Sequence, residues 1–192
     1  MKLAKTTLIV VAATALMAGC AKPTTEYGDS RAVETVTNEF GSTDLQMIAE
    51  DMTRSLLVHP VIANGNRPRV TISPVRNKTS EYIDTKSITD SIRAQLVKSG
   101  RARFVVDINE MSGQKAELDR QTDELYDQNK AKKKGKMLGA DFRIDGEITS
   151  IVKQTKDVKD VFYKMSLQLV NIETGDIEWA DEKEIRKTTK KR

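Results

Sequence analysis

The chain has 192 residues, 32 of them Lys or Arg against 28 Asp or Glu, with one histidine and one cysteine. Its length suits one domain built around one core. A lone cysteine excludes disulfides and thiolate metal sites, a lone histidine excludes a two-histidine metal site, and glycine patterns that cradle phosphates are absent.

In chain order the first feature is a leader. Lys2 and Lys5 precede an apolar run from Leu8 to Met17 that ends in Leu16-Met17-Ala18-Gly19-Cys20. A basic start, a short hydrophobic stretch and small residues at the end are the parts of a secretory signal, here residues 1–19. The run is shorter than the roughly 20 apolar residues of a bilayer span. Small residues followed by the single cysteine resemble a bacterial lipobox, with Met17 where leucine is more usual. That resemblance implies diacylation of the Cys20 sulfur, cleavage before it and acylation of the new amino group. Two acyl chains suffice for stable anchoring, since each buried methylene contributes roughly 0.8 kcal/mol. The competing reading, an ordinary secreted protein with a chance cysteine, leaves an unpaired exported thiol and is disfavoured. Ala21, where aspartate commonly retains lipoproteins in the inner membrane, implies the outer membrane, periplasmic face. Loss of Lys2 and Lys5 with the leader leaves 30 basic residues against 28 acidic, a net charge of about +2. That near balance, in a compartment without nucleic acid, argues against a nucleic-acid partner.

Residues 20–40 are polar and small, without a periodic apolar face, and read as a lipidated flexible tether. Some 20 residues reach at most about 70 Å when extended. Residues 41–192 read as one periplasmic domain. A helix is predicted from Asp44 to about Val58, with Leu45, Ile48, Ala49, Met52 and Leu56 on one face and Ser42 or Thr43 capping its start. His59-Pro60 ends it. Arg69 to Pro74 alternates as a strand, and Pro74 to Ser80 reads as polar loop. Asp84 caps a second helix, Thr85 to Lys98, whose stripe is Ile88, Ile92 and Leu96, and Gly100 sits at the left-handed C-terminal position. A strand at Arg103 to Val106 follows. A third helix is expected from about Glu110 to Gln128, carrying Met111, Ala116, Leu118 and Leu125 under an acidic outer face. Three strands close the chain. Phe142, Ile144, Ile148 and Val152 repeat with period two through Gly146. Tyr163, Met165, Leu167 and Leu169 do so again, with Lys164, Ser166 and Gln168 facing away. Ile177 and Trp179 begin the last strand, after the hairpin turn Glu173-Thr174-Gly175. The order α-β-α-β-α-β-β-β gives an α+β fold, a small and mostly antiparallel sheet flanked by helices. The alternation around Tyr163 to Leu169 says that one face of that strand is wet or meets a partner.

No constellation supports an enzyme. His59 stands beside a proline at a helix end, an acylated Cys20 is no nucleophile, and no Ser-His-Asp set can be assembled. Adjacent carboxylates such as Glu50-Asp51 and Asp123-Glu124 point in different directions on a helix and read as solvated faces. No cofactor or metal is expected. The run from Lys130 to Lys136 suits an acidic partner, anionic lipid or wall carboxylates, yet such runs are more often solvated, and that reading is favoured. The tail from Lys183 to Arg192 holds six basic residues and reads equally as a patch or a frayed terminus. Trp179 is assigned to the core in preference to a binding hot spot. Asp176, after the turn glycine, is expected to be exposed.

Several of these segments together resemble the LpoB family. They are the lipobox, the Val75-Arg76-Asn77-Lys78-Thr79 loop, the Ile88 to Gly100 helix with its cap, Gly139-Ala140-Asp141 before a strand, and Met165 to Trp179 through Asn171-Ile172-Glu173-Thr174-Gly175-Asp176. The likeness spans about Val70 to Trp179. It implies a small sheet flanked by helices and an outer-membrane lipoprotein that activates a bifunctional penicillin-binding protein by docking on its small accessory domain, thereby regulating peptidoglycan synthesis. In that family the acidic residue after Thr-Gly lies in the docking region, which selects Asp176. Lys164 and Gln168 join it on predicted exposure alone. The alternative is a structural or assembly lipoprotein of an outer-membrane secretion or flagellar complex.

Overall fold

The computed structural model describes residues 24–191. The leader and Cys20 lie outside the described residues. Residues 24–32 form a unit of their own, exposed throughout, with one bend where Ala32 donates its N–H to the Asp29 carbonyl at 3.1 Å.

From Val33 onward the chain folds as a mixed α+β unit with a six-stranded sheet. The elements are α1 (Ser42–Val58), α2 (Pro60–Ala63), β1 (Arg69–Ile72), β2 (Arg76–Lys78), α3 (Thr85–Ser99), β3 (Arg103–Phe104), α4 (Met111–Arg120), β4 (Phe142–Gln154), β5 (Val158–Asn171) and β6 (Ile177–Lys190). The main sheet order is β3-β1-β4-β5-β6, with β2 paired to the later part of β4. Short parallel pairings hold β1 to β3 and β4, and β2 to β4. Long antiparallel ladders hold β4 to β5 and β5 to β6, so most of the sheet is antiparallel.

The period of each segment decides what it buries. In β5 buried and half-buried residues alternate from Val161 to Val170, and Val161, Tyr163, Met165, Leu167 and Leu169 all point to one face. Ile48, Ala49, Met52 and Leu56 of α1 and Ile88, Ile92 and Leu96 of α3 close over that face. Helix α3 is bounded as its sequence demands: the Asp84 carboxylate accepts the Ser87 N–H at 3.2 Å, and Gly100 ends it at φ 70°. Gly146 of β4 stands opposite Leu167. A Cβ there would collide with Leu167 Cδ2 and with the Ser166 carbonyl, so only glycine lets the two strands close over the core at this row.

Trp179 is buried, and its indole N–H donates to Ser55 Oγ at 3.1 Å. Ile177 does not share its face. The β5–β6 register slips between Leu169 and Val170, which sets Ile177 opposite Val170 and leaves it exposed.

Three other expectations are corrected, the expected end of α1 at His59-Pro60 holds, and the open reading of the basic tail is resolved. Gly41, not Ser42 or Thr43, is the N-cap of α1, because the Asp44 carboxylate reaches back to the Gly41 N–H at 2.8 Å. The chain beyond His59 makes one further turn, α2, with proline at its first position, where the missing N–H costs nothing. Arg76–Lys78 is a strand rather than loop, held by backbone pairing to Glu147–Thr149 with no buried side chain of its own. The third helix is only Met111–Arg120 and buries nothing, and Leu125 is exposed beyond it. The basic tail is not frayed: β6 continues to Lys190.

That last strand is tied down by charge. Lys187, 12% exposed, pairs with Asp44, 5% exposed, and Lys183 pairs with Asp51, so the Glu50-Asp51 pair is only half solvated. Lys187 also donates to the Glu39 carbonyl at 2.7 Å. Beside it the Phe40 ring meets Tyr163 edge-on at 5.7 Å, and the Phe40 N–H donates to Glu81 Oε2 at 3.1 Å. Burial, with the neighbouring Glu81 carboxylate, raises the Tyr163 phenol far above its ordinary range.

Replacing Trp179 by alanine removes a buried ring and the hydrogen bond to Ser55. Unfolding in urea is expected to show a loss of about 3–5 kcal/mol.

Candidate functional site

The face of the β4–β5–β6 ladder turned away from the helices carries the polar residues of the alternation. Strand register sets them in rows. One row is Asp145, Gln168 and Ala180, the next Glu147, Ser166 and Glu182, then Thr149, Lys164 and Glu184, then Ile151, Phe162 and Arg186. Across the first two of these rows a shallow depression of about 680 Å³ is lined by Arg76 from β2, Asp145, Glu147, Ser166, Gln168 and Glu182.

Opposite charges are matched across this surface. Glu182 Oε1 accepts from Lys164 Nζ at 3.1 Å and from Ser166 Oγ at 3.2 Å. Arg76 bridges to Glu147 at 3.4 Å, and Arg143 to Asp145 at 2.9 Å. Below them Arg186 lies over the Phe162 ring, 5.3 Å from its centre. The surface therefore offers alternating charges and one aromatic–cation step. It lacks a buried nucleophile or a lone base, and among the described residues no group of three His, Cys, Asp or Glu is arranged to hold a metal ion.

The structure brings two of the three residues selected from sequence onto this face. Lys164 and Gln168 both point outward from β5, four residues and about 13 Å apart. Asp176 does not line the depression. It stands in the β5–β6 turn at the end of the sheet, exposed, where Thr174 Oγ1 donates to its carboxylate at 2.7 Å. Gly175 at φ 80° makes that turn possible. Arg76, Glu147, Glu182 and Arg186 went unselected. The alternation in β6 that points Glu182 and Arg186 outward is present in the sequence, but a strand that short of apolar residues resembles a loose tail. Arg76 carries no local signal at all.

The Lys130 to Lys136 run lies in the loop beside α4. Lys134 pairs with Asp119 of the helix, and Lys130 with Asp127 at 3.7 Å. Part of the run is thus neutralised by the acidic face that precedes it. No helix among the described residues is long and apolar enough to cross a membrane.

The protein is thus a small mixed α+β domain, its sheet closed on one face by two helices and bearing charged residues on the other. The family model described as "Peptidoglycan-synthase activator LpoB" matches residues 44–185, nearly the whole folded unit, and the chain belongs to that family. Among solved structures it is similar to the LpoB C-terminal domain of Salmonella enterica, with 18% identity, a TM-score of 0.40, and coverage of 73% of this chain and 94% of that one. The Escherichia coli LpoB C-terminal domain matches at 14% identity and a TM-score of 0.39, covering 70% and 98%. Lipoprotein GNA1162 of Neisseria meningitidis matches at 13% and 0.39, covering 63% and 83%. No curated protein matches the chain in sequence.

Because Lys164 and Gln168 point out of the fold and bury no apolar group, Lys164→Ala and Gln168→Ala are each expected to change stability by no more than about 0.5 kcal/mol. Thermal unfolding followed by circular dichroism checks this.

Proposed function

We propose that this protein is an outer-membrane lipoprotein that activates a bifunctional penicillin-binding protein and so regulates peptidoglycan synthesis. The family match across residues 44–185 carries the reading. In it, Cys20 is the lipid anchor, residues 20–40 are the tether, and the folded domain docks on the accessory domain of the synthase from the periplasmic face. The protein itself does no bond chemistry.

Docking engages the end of the sheet that bears Asp176 together with the open face around Lys164 and Gln168. Exposed charges at such a rim orient the partner and speed encounter more than they add affinity. Activation then follows from preference. A bound activator shifts the synthase toward its active conformation only as far as it binds that conformation more tightly than the resting one. An exposed, charge-patterned surface on a rigid sheet suits that role, since little ordering is needed on binding.

Two experiments test the reading. Purified protein added to the cognate synthase is expected to raise the rate of glycan polymerisation. Asp176→Lys, which reverses an exposed charge, is expected to weaken docking by about tenfold with unchanged thermal stability. Wild-type affinity in that variant removes Asp176 from the interface, and absence of any stimulation ends the activator reading. Cys20→Ser is expected to move the protein from the membrane fraction to an unprocessed or soluble form without acyl chains, as read by mass spectrometry of its amino terminus.

A further inference from the structure

Strand β6 is the last strand of the sheet order, and its outer edge pairs with no other strand among the described residues. The ladder fixes which groups that edge presents. Thr155 and Val158 form a hydrogen-bonded pair at 2.8 Å, and the alternation from there turns the backbone groups of the even-numbered residues of β6 away from β5. Ala180, Glu182, Glu184, Arg186 and Thr188 therefore turn their N–H and C=O groups outward along the edge of a fourteen-residue strand that is irregular only near Ile177. Edges of this kind are commonly guarded by charged side chains, lysine above all. Here the signs are divided. The first half carries Glu178, Asp181, Glu182 and Glu184, and the second carries Arg186, Lys187 and Lys190. Such a strand is complementary to itself when reversed.

We infer that two copies of this chain pair edge to edge through antiparallel β6 strands, centred on Glu184, to form a two-fold dimer with one continuous sheet. In that register Glu182 faces the partner's Arg186 and Glu178 faces the partner's Lys190, while Asp181 stands opposite the partner's Lys187, which the Asp44 carboxylate of its own chain already holds. Each match occurs twice by symmetry. The even-numbered residues then meet as hydrogen-bonded pairs, as the ladder parity requires. The one like-charged meeting, Glu184 against its own copy, is flanked on both sides by Lys164, which stands opposite Glu184 in β5. Lys183, the exception in the acidic half, is already held by Asp51 and meets the partner's Ile185. In the single chain Asp181 Oδ1 accepts the Glu182 N–H at 2.8 Å. On pairing, that N–H turns to the carbonyl of the partner's Arg186.

Neighbouring registers are rejected by the same charges. A shift of two residues one way halves the opposite-charge pairs, leaving only Glu184 against the partner's Arg186, and a shift the other way sets Glu182 against the partner's Glu184. Like charges directly opposite across strands are unfavourable. One alignment is thus selected, and it places the two open faces side by side as a single surface.

The full-length chain tests this directly. Glu184→Cys is expected to give a disulfide-linked dimer under mild oxidation, because the paired Cα atoms stand about 5.5 Å apart, within disulfide reach. Ala180→Cys and Thr188→Cys chains are expected to crosslink when mixed and not when oxidised separately, with the wild-type chain as the control for Cys20. Without crosslinking, Glu182→Arg is expected to weaken the dimer in sedimentation velocity by about tenfold, and Glu182→Arg with Arg186→Glu to restore it. A chain that stays monomeric at all concentrations overturns the inference. So does crosslinking of Glu184→Cys no stronger than that of Ser80→Cys, or a dimer indifferent to both charge variants.

Discussion

The structure depends on the period-two alternation of β5. Seated between β4 and β6, this strand supplies apolar residues to one face at every odd position from Val161 to Leu169, and Lys164, Ser166 and Gln168 to the other. Because successive side chains point to opposite faces, a slip of one residue would turn Met165 and Leu167 into solvent and Lys164 and Gln168 into the core. The hydrophobic cost of that exchange fixes the register of the whole antiparallel ladder. It also fixes where α1 and α3 pack and which side of the sheet stays uncovered. Gly146 belongs to the same constraint, since a side chain at that row would meet the β5 backbone.

A second layer of specification comes from charge at the margin of the core. Asp44 and Asp51 on α1 reach across to Lys187 and Lys183 on β6. Buried ion pairs of this kind add little net stability over apolar residues, because desolvation offsets much of the attraction. Their consequence lies in alignment: a helix and a strand more than a hundred residues apart in sequence are held at one register. The hydrogen bonds of Asn38, Glu39 and Phe40 to the same region bring the chain ahead of α1 to a defined point on the domain.

Membership of the peptidoglycan-synthase activator family and the geometry of the fold point the same way about what kind of work is done here. Most of the apolar residues of β5 go into closing one face, and most of the charged residues of the β4–β5–β6 ladder go to the other. A surface of matched ion pairs, rigid and without a deep cleft, is suited to recognition by another macromolecule. The same rigid ladder ends in a strand whose edge has not been spent on pairing within the chain.

Much of this was legible before any coordinates. The stripe Ile88, Ile92 and Leu96 with Asp84 before it and Gly100 after it could be only a capped amphipathic helix. The alternation from Tyr163 to Leu169 implied a strand with one wet face, and Asn171 to Asp176 implied the turn. These are local signals, because hydrophobic period, caps and positive-φ glycines act within a few residues. The tertiary structure decided what depends on partners distant in sequence. Arg76–Lys78 is a strand only because the Glu147 backbone lies beside it. The polar run after Glu182 is a strand only because β5 offers a ladder and α1 offers two carboxylates. The helix expected to reach Gln128 stops at Arg120, since nothing packs on Leu125. The grouping of Arg76, Glu147, Lys164 and Glu182 on one surface arises from strand order and register. Those are set by which long-range pairings bury the most apolar area, a sum over the whole chain that no single segment carries.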